Sequence, residues 1–248
     1  MNKTCFLTYV VLAFFLFACK KPEDRRCWKQ AGEEDTLAVN VNAFQKINVQ
    51  EHLVCTLVQD TIEKVVISGG KNLLNFVGVN VENGLLTLTN ENKCSFLRSY
   101  EQRVKVEIHF KTLSNIDFEG TEPLTCRDTL QLDWFTLLIR DGAGPVNLLL
   151  NAQLITATLA HGYGDFTMQG QTNQAIFNVR SNGYCNTYGL KIAESITVIS
   201  RTQADLRINA HQCILRAQTE VGGNIYYKGV PNSIEFNRYG SGNLIDDN

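Results

Sequence analysis

Proline is scarce, at 4 in 248 residues, and no stretch is rich in proline or serine, so the chain has no extended linker of the kind that separates domains. An excess of one charge is missing too. Lys and Arg total 23 against 25 Asp and Glu, which leaves no long-range pull toward nucleic acid or an anionic lipid surface. No window keeps a 3.6-residue apolar period over three turns, so almost no helix is expected. No Cys-x-x-Cys pair occurs, and His52, His109, His161 and His211 lie far apart, which removes zinc-ribbon, thioredoxin-like and zincin chemistry. Gly69-Gly70-Lys71 fails as a phosphate loop, because Val65 and Asn72 fill the slots that need Gly and Ser or Thr. Gly142-Ala143-Gly144 and Gly162-Tyr163-Gly164 lack the third glycine of a dinucleotide site and lead into strands. The calcium-binding nonapeptide and the Gly-x-Ser-x-Gly elbow are also absent. No cofactor, metal site or catalytic constellation is expected.

What is present suffices for one domain with a large core. Hydrophobic residues make up 44% of the chain, and a domain of this length buries roughly 70% of its unfolded surface. The apolar run from Cys5 to Ala18 follows the single positive residue Lys3. It is shorter than the roughly 20 residues that span a bilayer and has the length of a signal-peptide core. Leu16-Phe17-Ala18-Cys19, followed by the charged Lys20-Lys21-Pro22-Glu23-Asp24-Arg25-Arg26, resembles the bacterial lipobox, with Phe17 bulkier than is usual there. That resemblance makes Cys19 the lipidated residue, and several acyl chains together make a stable anchor. The expected organisation is a signal peptide over 1–18, a lipidated tether over 19–40 and one β-solenoid domain over 41–248.

From Phe44 onward the pattern is strand after strand. Val104, Val106, Ile108 and Phe110 alternate strictly, and Asn83-Gly84 is a strong hairpin dipeptide. On that alternation His109 falls on the solvent face; His161 precedes a turn glycine. The second half repeats. Gly142, Gly162, Gly183 and Gly222 are separated by 20, 21 and 39 residues, with Thr202-Gln203 in the skipped slot. Ahead of these glycines, Phe135, Leu137 and Ile139 align with Ile155, Ala157 and Leu159, and again with Ala175, Phe177 and Val179. A fixed period near 20 with one inward-facing strand set per repeat predicts an all-β, right-handed β-helix or β-solenoid, with short antiparallel strands in its N-terminal part. One coil cannot bury its own apolar face, whereas stacked coils can. A β-sandwich would also give many short strands, but has no reason to repeat glycine at a constant interval.

Several segments resemble the family known as the putative auto-transporter adhesin head, GIN domain. They are Ile67-Ser68-Gly69-Gly70-Lys71-Asn72-Leu73-Leu74, Val81-Glu82-Asn83-Gly84-Leu85-Leu86, the run from Asn92 to Tyr100, the run from Gly223 to Pro231, and Gly240-Ser241-Gly242. The resemblance extends over roughly Val39 to Ile245. It implies an exported lipoprotein of a Bacteroidetes-type envelope with a β-helical fold, at the outer membrane on its periplasmic or cell-surface side. Cys27 and Cys94 lie in polar, family-like segments and are expected to form a disulfide; such closure of a long loop is worth roughly 4 kcal/mol in the chain-entropy model. Cys55, Cys126, Cys185 and Cys213 complete an even set, which permits bridges but is equally met by small buried hydrophobes. Asp35-Thr36-Leu37, Asp60-Thr61-Ile62 and Asp128-Thr129-Leu130 resemble the O-glycosylation signal of Bacteroidetes envelope proteins, which makes Thr36, Thr61 and Thr129 acceptor candidates.

The expected contact surface is aromatic. Tyr163 follows Gly162 and Tyr184 follows Gly183, so the coil period sets both at one edge, extended by Tyr188 and Tyr226. Sugar rings pack their C–H faces on such side chains, although an aromatic ladder can equally serve only to cover a coil corner. Two functions follow: a non-enzymatic binding, adhesion or structural module with a glycan or surface protein as partner, or a carbohydrate-active lyase or hydrolase on a β-helix. The second needs clustered carboxylates, and no such cluster shows in the linear sequence.

Overall fold

The computed structural model describes residues 30–92 and 103–248. Strands β1 (Glu34–Asn40), β2 (Lys46–Glu51), β3 (Val54–Gln59) and β4 (Lys64–Gly70) precede one helical turn, α1 (Lys71–Leu74). Then follow β5 (Val77–Glu82), β6 (Leu85–Asn90), β7 (Lys105–Phe110), β8 (Asn115–Gly120), β9 (Leu124–Cys126), β10 (Leu130–Gln131) and β11 (Trp134–Ile139). Next come β12 (Pro145–Leu159), β13 (Asp165–Ser181), β14 (Tyr184–Thr187) and β15 (Leu190–Thr202). The chain ends in β16 (Leu206–Asn209), β17 (Ile214–Thr219), β18 (Ile225–Lys228), β19 (Ser233–Arg238) and β20 (Leu244–Asp246).

These strands build a β-solenoid of about seven turns. Parallel pairing carries one inward column from Ile47 through Ile116, Leu137, Ala157, Phe177, Val198 and Ala217 to Phe236. A second column carries Cys55, Leu124, Val146, Phe166 and Cys185, and continues through Leu206, Ile225 and Leu244. The two columns face each other across the interior. Phe166 and Phe177 meet edge to face, with centroids 5.6 Å apart, a favoured aromatic geometry. The antiparallel pairs are confined to the N-terminal part, β1 with β4, β4 with β7 and β5 with β6.

The corners are set by small residues. Gly170 has φ +110, and a Cβ there would lie 2.1 Å from the Leu150 carbonyl oxygen of the coil before. Thr202 and Gln203 fill the slot without glycine: the Thr202 hydroxyl is buried and donates to the Gly183 carbonyl at 3.0 Å.

Two expectations change. The tether does not extend to residue 40, because Glu34–Asn40 is β1, in full antiparallel register with β4. Its side chains are almost all exposed, so the strand is held by its backbone ladder on a sheet edge and has no apolar period to betray it. His109 is not a solvent-face residue. It is 5% exposed, because the outer face of β7 is covered here by the turn carrying Asp60, whose Oδ2 lies 2.9 Å from His109 Nδ1.

A polar groove along one corner of the solenoid

Each coil bends at the same place, so the residues at the bend form columns. Gln131 pairs with Asn151, Asn151 with Gln171, and Gln171 with Lys191. Two positions further on stand Asp133, Gln153 and Asn173. Side-chain amides tie these columns from coil to coil. Asn151 Nδ2 donates to Gln131 Oε1 at 3.3 Å and Asn173 Nδ2 to Gln153 Oε1 at 2.7 Å. Gln59 extends the ladder toward the N-terminal part by accepting from Gln131 N at 2.7 Å and donating to Gln131 O at 2.9 Å. An amide carries two donors and two lone pairs, so each rung keeps hydrogen-bonding capacity toward solvent.

The bend encloses a groove of about 1080 Å³ that crosses successive coils, from Gln131 and Asp133 at one end to Lys228 and Gly229 at the other. A smaller hollow of about 250 Å³ adjoins it at Gln131–Asp133 and is bounded by Gln45, Leu113 and Trp134. Trp134 is 73% exposed, so its indole face is open to solvent beside the hollow.

The far end is cationic and aromatic. Lys228 Nζ lies 4.6 Å from the centre of the Tyr188 ring, within cation–π range. The Tyr188 hydroxyl donates to Asp247 Oδ2 at 2.5 Å; burial first, then that hydrogen bond, hold its pKa well above the ordinary tyrosine value. Asn209 Nδ2 donates to the Tyr188 carbonyl at 3.1 Å. One column over, Arg207 sits 5.8 Å from the ring centres of both Tyr184 and Tyr226, and its Nη1 donates to the Tyr184 hydroxyl at 3.2 Å.

Of the four expected contact tyrosines, Tyr184, Tyr188 and Tyr226 therefore gather around Arg207 and Lys228, with cations over the rings. Tyr163 stands apart. Tyr184 is in register with Asp165, two residues beyond Tyr163, so the two tyrosines do not share a column, and Tyr163 projects from its corner at 75% exposure. Trp134 and the amide ladder are absent from the sequence-based site. Their signal was available: residues 131, 151, 171, 191 and 211 are all polar at 20-residue steps, the interval marked by the glycines.

The other candidates scatter. Thr61 is exposed in a turn, its N–H bonded to Asp60 Oδ1 at 2.6 Å. Thr36 is exposed on β1, and Thr129 is half-buried ahead of β10. Cys19, Cys27 and Cys94 lie outside the described residues. Cys55, Cys126, Cys185 and Cys213 are free thiols. Among the described residues no group of three or more His, Cys, Asp and Glu side chains is placed to hold a metal ion, and no helix is long and apolar enough to cross a membrane.

Comparison with solved structures returns the same architecture. A crystal structure described as a putative adhesin from Bacteroides fragilis NCTC 9343 superposes with a TM-score of 0.76 at 21% identity, over 86% of this chain and 97% of that one. One described as a putative lipid binding protein from Parabacteroides distasonis ATCC 8503 gives 0.67 at 19% identity, over 88% and 98%. A putative adhesin from Parabacteroides merdae ATCC 43184 gives 0.58 at 15% identity, over 87% and 98%. At these identities the likeness is one of fold. Comparison with curated proteins gives no match. The family model described as "putative auto-transporter adhesin, head GIN domain" matches residues 43–231, most of the chain and nearly all of the solenoid, and the chain belongs to that family.

Proposed function

We propose that this protein is a non-enzymatic adhesion module of the cell envelope that binds a glycan chain along the corner groove. The observation that carries this reading is the amide ladder, Gln131–Asn151 and Gln153–Asn173, with exposed Trp134 in the hollow that adjoins one end of the groove and Tyr188 at the other end. Sugar hydroxyls both donate and accept, and planar amides match them; the C–H faces of the rings pack on aromatic surfaces. A groove crossing several coils suits an extended polymer better than a compact ligand. The adhesin description of the family supports the non-catalytic part of the reading. So does the groove lining, in which Asp133 is the one carboxylate among the described residues, where glycoside hydrolysis requires a facing pair. The lipid-binding description of one structural neighbour finds less support here, since the interior is filled by Phe118, Phe135, Phe166, Phe177 and their neighbours. The anchor in this reading is a lipid on Cys19, with the tether before β1 setting the domain off from the membrane.

The test is a glycan array followed by titration of the best-bound oligosaccharide. Trp134→Ala and a Gln153→Ala, Asn173→Ala double variant should each weaken binding about tenfold or more, equivalent to about 1.4 kcal/mol. The melting temperature should hardly move, because these side chains lie on the surface. Unchanged affinity in both variants would place the contact elsewhere.

A further inference from the structure

The groove changes character along the solenoid axis. Asp133 marks its N-terminal end beside the hollow that holds Trp134, neutral amides its middle, and Lys191, His211 and Lys228 its C-terminal end, with Arg207 beside them on the outer face. Several cations elsewhere that project between coils are neutralised, and those that are not, such as Lys105, Arg180 and Arg238, lie outside the groove. Arg127 pairs with Glu107 at 2.5 Å, Arg140 with Glu119 at 2.9 Å, and Arg201 with Glu220 at 2.6 Å. Lys191, Arg207 and Lys228 have no carboxylate within ion-pair distance among the described residues. The acids near them are turned to neutral donors instead. Asp247 accepts from the Tyr188 hydroxyl, Asp205 accepts from Asn224 N at 3.0 Å and Nδ2 at 3.2 Å, and Glu194 accepts from Gln174 Nε2 at 2.7 Å. Lys191 and Lys228 are exposed, and unpaired positive charge lining a concave polar surface attracts anions.

We infer that the ligand is an acidic glycan, seated with an anionic sugar at the Lys191–Lys228 end and neutral units running along the amides toward Trp134. This deepens the glycan reading and rests on it. The geometry also gives the chain a direction in the groove, since only one end offers cations. An ammonium is a point charge without a preferred fork, so a carboxylate and a sulfate ester fit the same end, and the experiment separates them.

The probes are immobilised uronate-bearing and sulfated oligosaccharides, each beside its neutral counterpart, the methyl ester or the desulfated chain. The purified protein should bind at least one acidic member about tenfold tighter than its neutral counterpart, and raising the salt from about 0.1 M to about 0.5 M should erode that preference. Lys191→Gln with Lys228→Gln should bring the acidic member down to the level of its neutral counterpart, both measured on the same variant. Lys228→Arg alone, which keeps the charge, should retain the affinity. Equal affinity for acidic and neutral members overturns the inference while the glycan reading stands, as does an acidic preference that survives the double variant. If neither kind of member binds, both fall.

Discussion

At the scale of the residue, burial sets the chemistry. Asp165 is half-buried between Pro145 and Tyr184 in the coil register, and loss of solvent holds its carboxyl above the ordinary aspartate range. A carboxyl raised in the folded state binds its proton more tightly there than in the unfolded chain. Stability from this group therefore increases as pH falls through the raised folded value, and the charged form opposes folding above it. Asp165→Asn should accordingly raise the urea midpoint at neutral pH, and the gain should vanish below the unfolded aspartate value of about 4. A gain that persists at low pH would assign the effect to something other than charge. Asp60 has the opposite sign: the Thr61 N–H and then His109 lower its pKa, so its contribution is present above the unfolded value and is lost on acidification. The thiols follow the same logic. Burial pushes Cys55 and Cys185 up to about 12, and the thiolate is the reactive form. Near neutral pH a disulfide-exchange reagent should modify Cys126, which is partly exposed, ahead of Cys55, Cys185 and Cys213, which should react only on unfolding. The even cysteine count left bridging open; three of these four are instead small apolar core residues, a distinction that depends on depth and not on number.

At the scale of the element, the coil is the unit, and much of it could be read in advance. The alignment of Phe135, Leu137 and Ile139 with the two following repeats is the register found, Leu137 against Ala157 and Ala157 against Phe177, because period-2 burial and a fixed coil length leave little choice. The edge strand β1 and the buried side of His109 were not legible. Both depend on what covers a strand's outer face, which alternation within that strand does not encode. The groove was hidden for a related reason: its concavity arises from the bend, and polar residues at a bend look like any loop. Gly170 tests the geometry of the bend. Its φ is positive, and the Leu150 carbonyl oxygen lies 2.1 Å from where a Cβ would stand, so a side chain there meets both a clash and a strained backbone. Gly170→Ala should destabilise the protein by roughly 2 kcal/mol or more, read as a lower urea midpoint. An unchanged midpoint would mean that β12 and β13 can slide apart locally at no cost. The pairs Arg140–Glu119 and Arg201–Glu220 join neighbouring coils at the surface, where each is worth about 0–1 kcal/mol, so the corners and the core set the coil spacing.

At the scale of the whole molecule, the fold follows from repetition, while the proposed attachment rests on a short N-terminal segment outside the described residues. The expected lipid on Cys19 makes a separable claim. Cys19→Ala should abolish incorporation of labelled fatty acid and accumulate unprocessed precursor. A fully processed, membrane-bound variant would refute it. The stacking itself has a mechanical consequence. The backbone ladder of each coil reaches only the coils on either side, so a pull along the stack loads the interfaces in series, while the bonds within one interface share the force. On the proposed reading, a polymer gripped across the corner would act as a splint over the coils it touches. If the proposed lipid anchor supplies the restraint at the N-terminal end, tension would pass through the antiparallel N-terminal strands and the first parallel coils, and the coils beyond the grip would carry none. The weakest interface between anchor and grip, not the average of the domain, sets the force at which the molecule lets go.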